Sequence, residues 1–148
     1  VLADGLVAAE KERPDLIVDI ATLTGAASVA LGTRYAGVMG DSEAVHELVS
    51  SATESGEQFW PMPLPQELKA LLKSDVADIV NAKVGNTAGG MLLGATFLRE
   101  FVKTTPWTHI DIASCANNAG SGFGFTGPGP TGVGVRALIH QAERLARE

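Results

Sequence analysis

His109 and Asp111 stand two residues apart in the run WTHIDIAS (107–114). In an extended chain that spacing puts both side chains on one face. The pair could supply two metal ligands, or it could make a structural hydrogen bond near the end of a sheet. A metal site needs three or four converging ligands, so two alone do not make one. The other histidines, His46 and His140, lie on predicted helices with no second ligand at i+4 and read as surface or partner-facing residues. Asp19 sits inside the apolar run DLIVDIATL, where a buried carboxylate needs a donor such as a backbone N–H or a hydroxyl. Nucleophiles fare no better. Ser28 lacks a nucleophile elbow, and Cys115, beside Ser114 and Asn117, has no identifiable base, so a buried free thiol accounts for it. Local chemistry alone yields no complete active site.

Ligands of layered α/β proteins gather at the carboxyl ends of strands. Two strand ends stand out: the turn Thr22-Leu23-Thr24-Gly25 and the turn Ala113-Ser114-Cys115-Ala116. The first could present backbone N–H groups to an anion, or it could be an ordinary strand–helix junction. It is not a phosphate-binding Walker loop, since GxxxxGK[ST] is absent.

The elements that must carry these turns follow from the hydrophobic pattern. DLIVDIATL, YAGVMG and WTHIDIAS read as strands, the first buried on both faces as in a parallel sheet. Helices are predicted over residues 1–13, over TGAASVALG, over SEAVHELVSSATESG with Asp41 or Ser42 as cap, over QELKALLKS, over 90–103, and over the terminal 135–148. The prolines of FWPMPLP exclude a central strand. SDVADIVNAKVGNTAGG (74–90) has no sustained period and reads as a functional loop. Helices alternating with strands indicate an α/β, three-layer domain with a mainly parallel or mixed sheet.

Composition narrows the function classes. The 148 residues are enough for one domain, and 45% hydrophobic against 19% charged residues describe a globular chain. A net charge of −6 disfavours nucleic acid and anionic membranes as partners. The single cysteine excludes an internal disulfide framework and suits a reducing compartment. No apolar run approaches the roughly 20 residues that span a bilayer. Val1, Leu2, Leu6, Val7 and Ala9 fall at helical spacing with no capping residue before them. Either the start is frayed or processed, or the chain is the back part of something longer; the second is the expectation adopted.

Taken in order, VLADGLVAAEKERPDLIVDIATLTGAASVALG, WPMPLP, ADIVNAKVGNTAGG, GATFLREFV, WTHIDIAS and FTGPGPTGVGVRAL resemble successive blocks of the cytosol (leucyl) aminopeptidase family. The first block resembles the stretch that follows the family's signature NTDAEGRL. The likeness covers essentially the whole chain, and its ATLTGA and W-x-H-x-D-I-A blocks are the specific ones.

The resemblance implies a dinuclear-metal exopeptidase that removes the N-terminal residue of peptides, with two divalent ions, Mn or Zn. It places their carboxylate and lysine ligands, and the arginine that orients a bicarbonate base, ahead of Val1. Residues 1–148 would then be a carboxyl-terminal portion of the catalytic domain, incomplete and inactive alone, with no catalytic residue and no metal ligand of its own. Asp4 is not among the family's ligands. The resemblance assigns substrate binding to Thr22, Leu23 and Gly25, through backbone groups beside the metal centre, and to Ala113 and Ala116, which line the pocket for the substrate's N-terminal side chain. Family members often carry Gly in place of Ser114 and a bulkier residue such as Met in place of Ala116, departures that bear on pocket size. His109 and Asp111 keep a structural reading. The implied partners are a peptide substrate, the preceding part of the same protein and further copies in a homo-hexamer, in the cytoplasm. The alternative is a non-catalytic scaffold or assembly piece. DNA binding, known for some bacterial members, finds no support in the acidic charge.

Overall fold

Strands and helices alternate along the chain in the computed structural model, which describes residues 1–82, 85 and 88–147. The order is α1 (Leu2–Lys11), β1 (Ile17–Ala21), α2 (Ala26–Leu31), β2 (Ala36–Gly40), α3 (Ser42–Glu54), β3 (Phe59–Pro61), a 3-10 helix (Gln66–Leu72), α4 (Gly90–Arg99), β4 (Trp107–Asp111), β5 (Asn117–Asn118), β6 (Gly129–Pro130) and α5 (Val135–Leu145). Four strands form one mixed sheet in the order β1-β4-β2-β3. β1 runs parallel to β4, β2 antiparallel to β4, and β3 parallel to β2. Asp19 pairs with His109 and Ala21 with Asp111, so the carboxyl ends of β1 and β4 lie side by side. That register brings the two strand-end turns together.

Alternation along the strands splits the core into two layers. Ile17, Met39 and Trp107 face Leu6 of α1, Ala27 of α2 and Met91, Ala95 and Leu98 of α4. Val38 and Ile110 face the other way, against Val45, Leu48 and Ala52 of α3 and Ala137 of α5. The three-layer α/β expectation holds, and the sheet is mixed. β2 and β4 approach so closely that a Cβ on Gly40, whose φ is +146°, would lie 2.2 Å from the Trp107 carbonyl oxygen. Only glycine fits there.

Several boundaries differ from the sequence pattern. QELKALLKS forms a 3-10 helix rather than an α-helix, and α4 stops at Arg99 rather than running to residue 103. FWPMPLP contributes an edge strand, with Ala36 opposite Phe59 and Val38 opposite Pro61, the sheet position that proline tolerates. Asp41 stands at the N-cap of α3 without capping it. Its carboxylate accepts hydrogen bonds from the Trp107 N–H (2.9 Å) and the Arg99 guanidinium (2.8 Å), tying α3 to β4 and α4. Lys83, Val84, Asn86 and Thr87 of the predicted 74–90 loop, and Glu148 of the predicted 135–148 helix, lie outside the described residues. Among the described residues no helix is long and apolar enough to cross a membrane.

Glu10 at the end of α1 anchors the loop before β4. Its Oε1 accepts from the Thr104 hydroxyl (2.7 Å), the Thr104 N–H (2.8 Å) and the Thr105 N–H (3.2 Å). The Thr104 hydroxyl first, then the Thr104 N–H, hold its pKa down from 4.5 to about 2. A folded-state value below the unfolded one contributes stability that is complete above the unfolded value and lost as pH falls through the folded one. Denaturant unfolding of the parent chain and Glu10→Gln should therefore show a stability gap at pH above 4.5 that closes on acidification toward pH 2. A gap independent of pH across that window would contradict this assignment.

Candidate functional site

Asp111, the last residue of β4, is fully buried and aims its carboxylate at the end of β1. Its Oδ1 accepts from the Leu23 N–H (3.2 Å) and the Ala113 N–H (3.1 Å), with the Thr24 N–H at 3.5 Å. Its Oδ2 accepts from the Thr24 hydroxyl at 2.7 Å. One carboxylate thus fixes the turn after β1 and the turn after β4. The arrangement follows from the sequence locally. An Asp bonding the N–H two residues on makes an Asx-type turn, which folds the chain back directly after the strand. The parallel register then places the Leu23–Thr24 backbone within reach.

The five residues assigned to substrate binding divide in the structure. Leu23 and Ala113 converge on Asp111 and pack against the same apolar cluster. Thr22 and Gly25 are exposed. Ala116 is half-buried; its N–H donates to the Ile112 carbonyl (2.9 Å) and its carbonyl accepts from the Thr131 N–H (3.0 Å). Because the Leu23 N–H is directed at Asp111, a ligand reaching it would share a three-centre bond. Gly25 has ordinary helical dihedrals (φ −63°), and a Cβ there would meet nothing within 4 Å. It borders an apolar cavity of about 650 Å³ whose walls include Ala26, Val29, Met62, Met91 and Leu92.

Helix α4 presses on the first turn from outside. A Cβ on Gly94 would come within 3.0 Å of the Thr24 methyl and 3.1 Å of a Leu23 methyl. Sequence reasoning missed this glycine, and it named Thr24 within the strand-end turn without its bond to Asp111. The available signal was a hydroxyl residue directly after an apolar strand, which offers a donor to a buried acceptor. Ser114, where family members often carry Gly, turns its hydroxyl away to donate to the Tyr35 carbonyl (2.5 Å).

The remaining polar groups on this sheet face form their own set. Asp19 Oδ2 accepts from the Trp107 indole N–H (2.6 Å), and Asp19 Oδ1 lies 2.5 Å from His109 Nδ1. Asp19 thus has the donors that its burial requires. His109 and Asp111 do share a face, yet each is bound to a different partner. The carboxylates of Asp19 and Asp111 are both taken by internal donors. Among the described residues no three His, Cys, Asp or Glu side chains gather in a way that could hold a metal ion. The donor set of the described residues does not by itself fit a dinuclear centre. Burial pushes the Cys115 thiol pKa up, which keeps it protonated and a poor nucleophile.

Comparison with known proteins places this geometry. Residues 1–139 match the profile of the cytosol aminopeptidase family, catalytic domain. A probable cytosol aminopeptidase of Leifsonia xyli subsp. xyli is 59% identical over 152 residues, covering 97% of this chain and 31% of the relative. The probable cytosol aminopeptidase of Mycobacterium tuberculosis (strain ATCC 25177 / H37Ra) is 46% identical over 148 residues, covering 99% and 28%. The chain therefore spans about a third of the length of the curated relatives it matches. Among solved structures, the bottromycin maturation enzyme BotP superposes with a TM-score of 0.93 at 38% identity, over 99% of this chain and 33% of that one. BotP in complex with Mn gives 0.91 at 38% identity, over 98% and 32%. With its family blocks in order, its fold shared and most of its length matched, the chain belongs to the cytosol aminopeptidase family.

Proposed function

We propose that residues 1–148 form the substrate-positioning wall of an aminopeptidase that releases N-terminal residues from peptides. The observation that carries this reading is the Asp111 clamp, which holds the two strand-end turns of a family catalytic domain in one fixed relation. Thr22, Leu23 and Gly25 on one turn, and Ala113 and Ala116 on the other, contact the substrate's backbone and first side chain. Ala113 and Ala116 leave room for that side chain, while the clamp keeps the walls from relaxing when it enters. Preorganisation of this kind places the scissile bond without a further ordering cost.

The metal ions proposed for the family reaction, Mn or Zn, would polarise the peptide carbonyl when bound. Their ligands are proposed to lie ahead of Val1 in a longer chain, because Asp19 and Asp111 are already committed. The binding of Mn by BotP supports a metal in the family fold. Cytoplasmic residence and homo-hexameric assembly of the longer protein complete the proposal and rest on the family resemblance.

The residues 1–148 polypeptide, given Mn²⁺ or Zn²⁺ and Leu-p-nitroanilide, should show no turnover above blank. A longer chain that includes the signature preceding Val1 should hydrolyse it. Metal-dependent turnover by residues 1–148 alone would refute the placement of the ligands, and an inactive longer chain would favour the scaffold reading. In the active longer chain, Ala116→Leu should lower kcat/KM for leucyl substrates at least about tenfold, and alanyl substrates less, on the usual scale for a crowded apolar pocket. Equal losses for both would place Ala116 outside the side-chain pocket.

Asp111→Asn tests the clamp itself. An amide in that position must offer an N–H where a carboxylate oxygen accepted, so stability should fall by about 1–3 kcal/mol. Amide exchange at Leu23 and Ala113 should speed up together. Unchanged protection at either amide would show that the clamp does not hold the turns.

A further inference from the structure

A second cavity, of about 230 Å³, lies against the opposite side of the Ala113–Ala116 turn. Cys115 lines it and packs with the α3–α5 layer, whereas Ala113 packs with the α1–α4 layer. Two arginines border the cavity, and each is laid over an aromatic ring of the FGF hairpin. The Arg34 guanidinium carbon sits 4.1 Å from the Phe123 ring centre, and that of Arg136 sits 3.5 Å from the Phe125 ring centre. Stacking fixes a guanidinium by its face and leaves its edge N–H groups to find acceptors. Arg136 uses one of them weakly, on the Gly56 carbonyl at 3.4 Å.

Neither guanidinium has a carboxylate partner among the described residues, although the chain carries 17 acidic groups against 11 basic ones. Glu57, which also lines the cavity, is consumed elsewhere. Its Oε1 accepts from the Gly134 N–H (3.0 Å) and its Oε2 from the Ala137 N–H (2.9 Å), covering the start of α5. The neutral Cys115 thiol adds no opposing charge. The cavity therefore presents two guanidinium groups against the single, already hydrogen-bonded carboxylate of Glu57, and too little room for a peptide.

We propose that this cavity binds a small oxyanion, a phosphate or carboxylate group, recognised by the guanidinium edges of Arg34 and Arg136. The site touches the substrate turn from behind on both flanks. Arg34 precedes Tyr35, whose carbonyl accepts from Ser114, and Thr131 in the cavity wall donates its hydroxyl to the Cys115 carbonyl at 2.7 Å. An anion that draws the two arginines together therefore loads the same turn that carries Ala113 and Ala116.

The test is an amide NMR titration of residues 1–148 with inorganic phosphate and, separately, acetate, at ionic strength held constant with chloride. Saturable shifts centred on Cys115, Ala116 and Phe123 are expected, and whichever anion saturates them names the source of the oxyanion. Arg34→Gln and Arg136→Gln should each weaken binding at least about tenfold. Lys103→Gln, a surface cation remote from the cavity, should leave it unchanged. Arg34 is exposed, so its variant keeps a folded spectrum for comparison. Absence of saturable shifts with both anions, shifts reproduced by chloride, or parent-like affinity in both arginine variants would overturn the proposal.

Discussion

The placement of both strand-end turns rests on one buried carboxylate. Asp111 is fully enclosed, and it accepts from a hydroxyl and from backbone N–H groups of two segments, one of them 88 residues away in sequence. A buried carboxylate without donors would be costly, so the two turns stabilise Asp111 as much as Asp111 orders them. The consequence is mutual dependence. Neither turn can move alone without leaving the other's anchor short of a hydrogen bond.

This dependence is possible only because β1 and β4 run parallel in matched register. In an antiparallel pair the carboxyl ends lie at opposite edges of the sheet, as the β2–β4 pairing shows within the same molecule. Helix α4 then closes the arrangement from above, with Gly94 leaving free the space in which a Cβ would crowd the Leu23 and Thr24 side chains. Strand direction, one carboxylate and one glycine together determine the shape of the wall.

The three principal strands, the outer helices and the layer order were legible in the sequence, because apolar runs and helical spacing are local signals. The shared face of His109 and Asp111 was legible for the same reason, and so was the need of Asp19 for a donor. What each bonds to was not, since Thr24, Leu23 and Trp107 become neighbours only through sheet pairing. The antiparallel entry of β2 was also hidden, as one apolar pentapeptide reads alike in either direction. Asp41 misled for a related reason. Its position marks a helix start, but β4 and Arg99 compete for its side chain and win. The family blocks, by contrast, were legible throughout, because they are matched residue by residue rather than inferred from pairing.

The aromatic side chains extend this contrast between inside and surface. Trp107 is wholly enclosed, stacked on His109 with ring centres 6.4 Å apart and bonded to Asp19, whereas Trp60 is 55% exposed beside Tyr35 on the far strand. The two indoles consequently report on different regions of the protein. Blue emission from Trp107 follows the sheet face shared with Asp111, while red emission from Trp60 follows the proline-rich rim, so fluorescence alone can tell opening of the former from fraying of the latter.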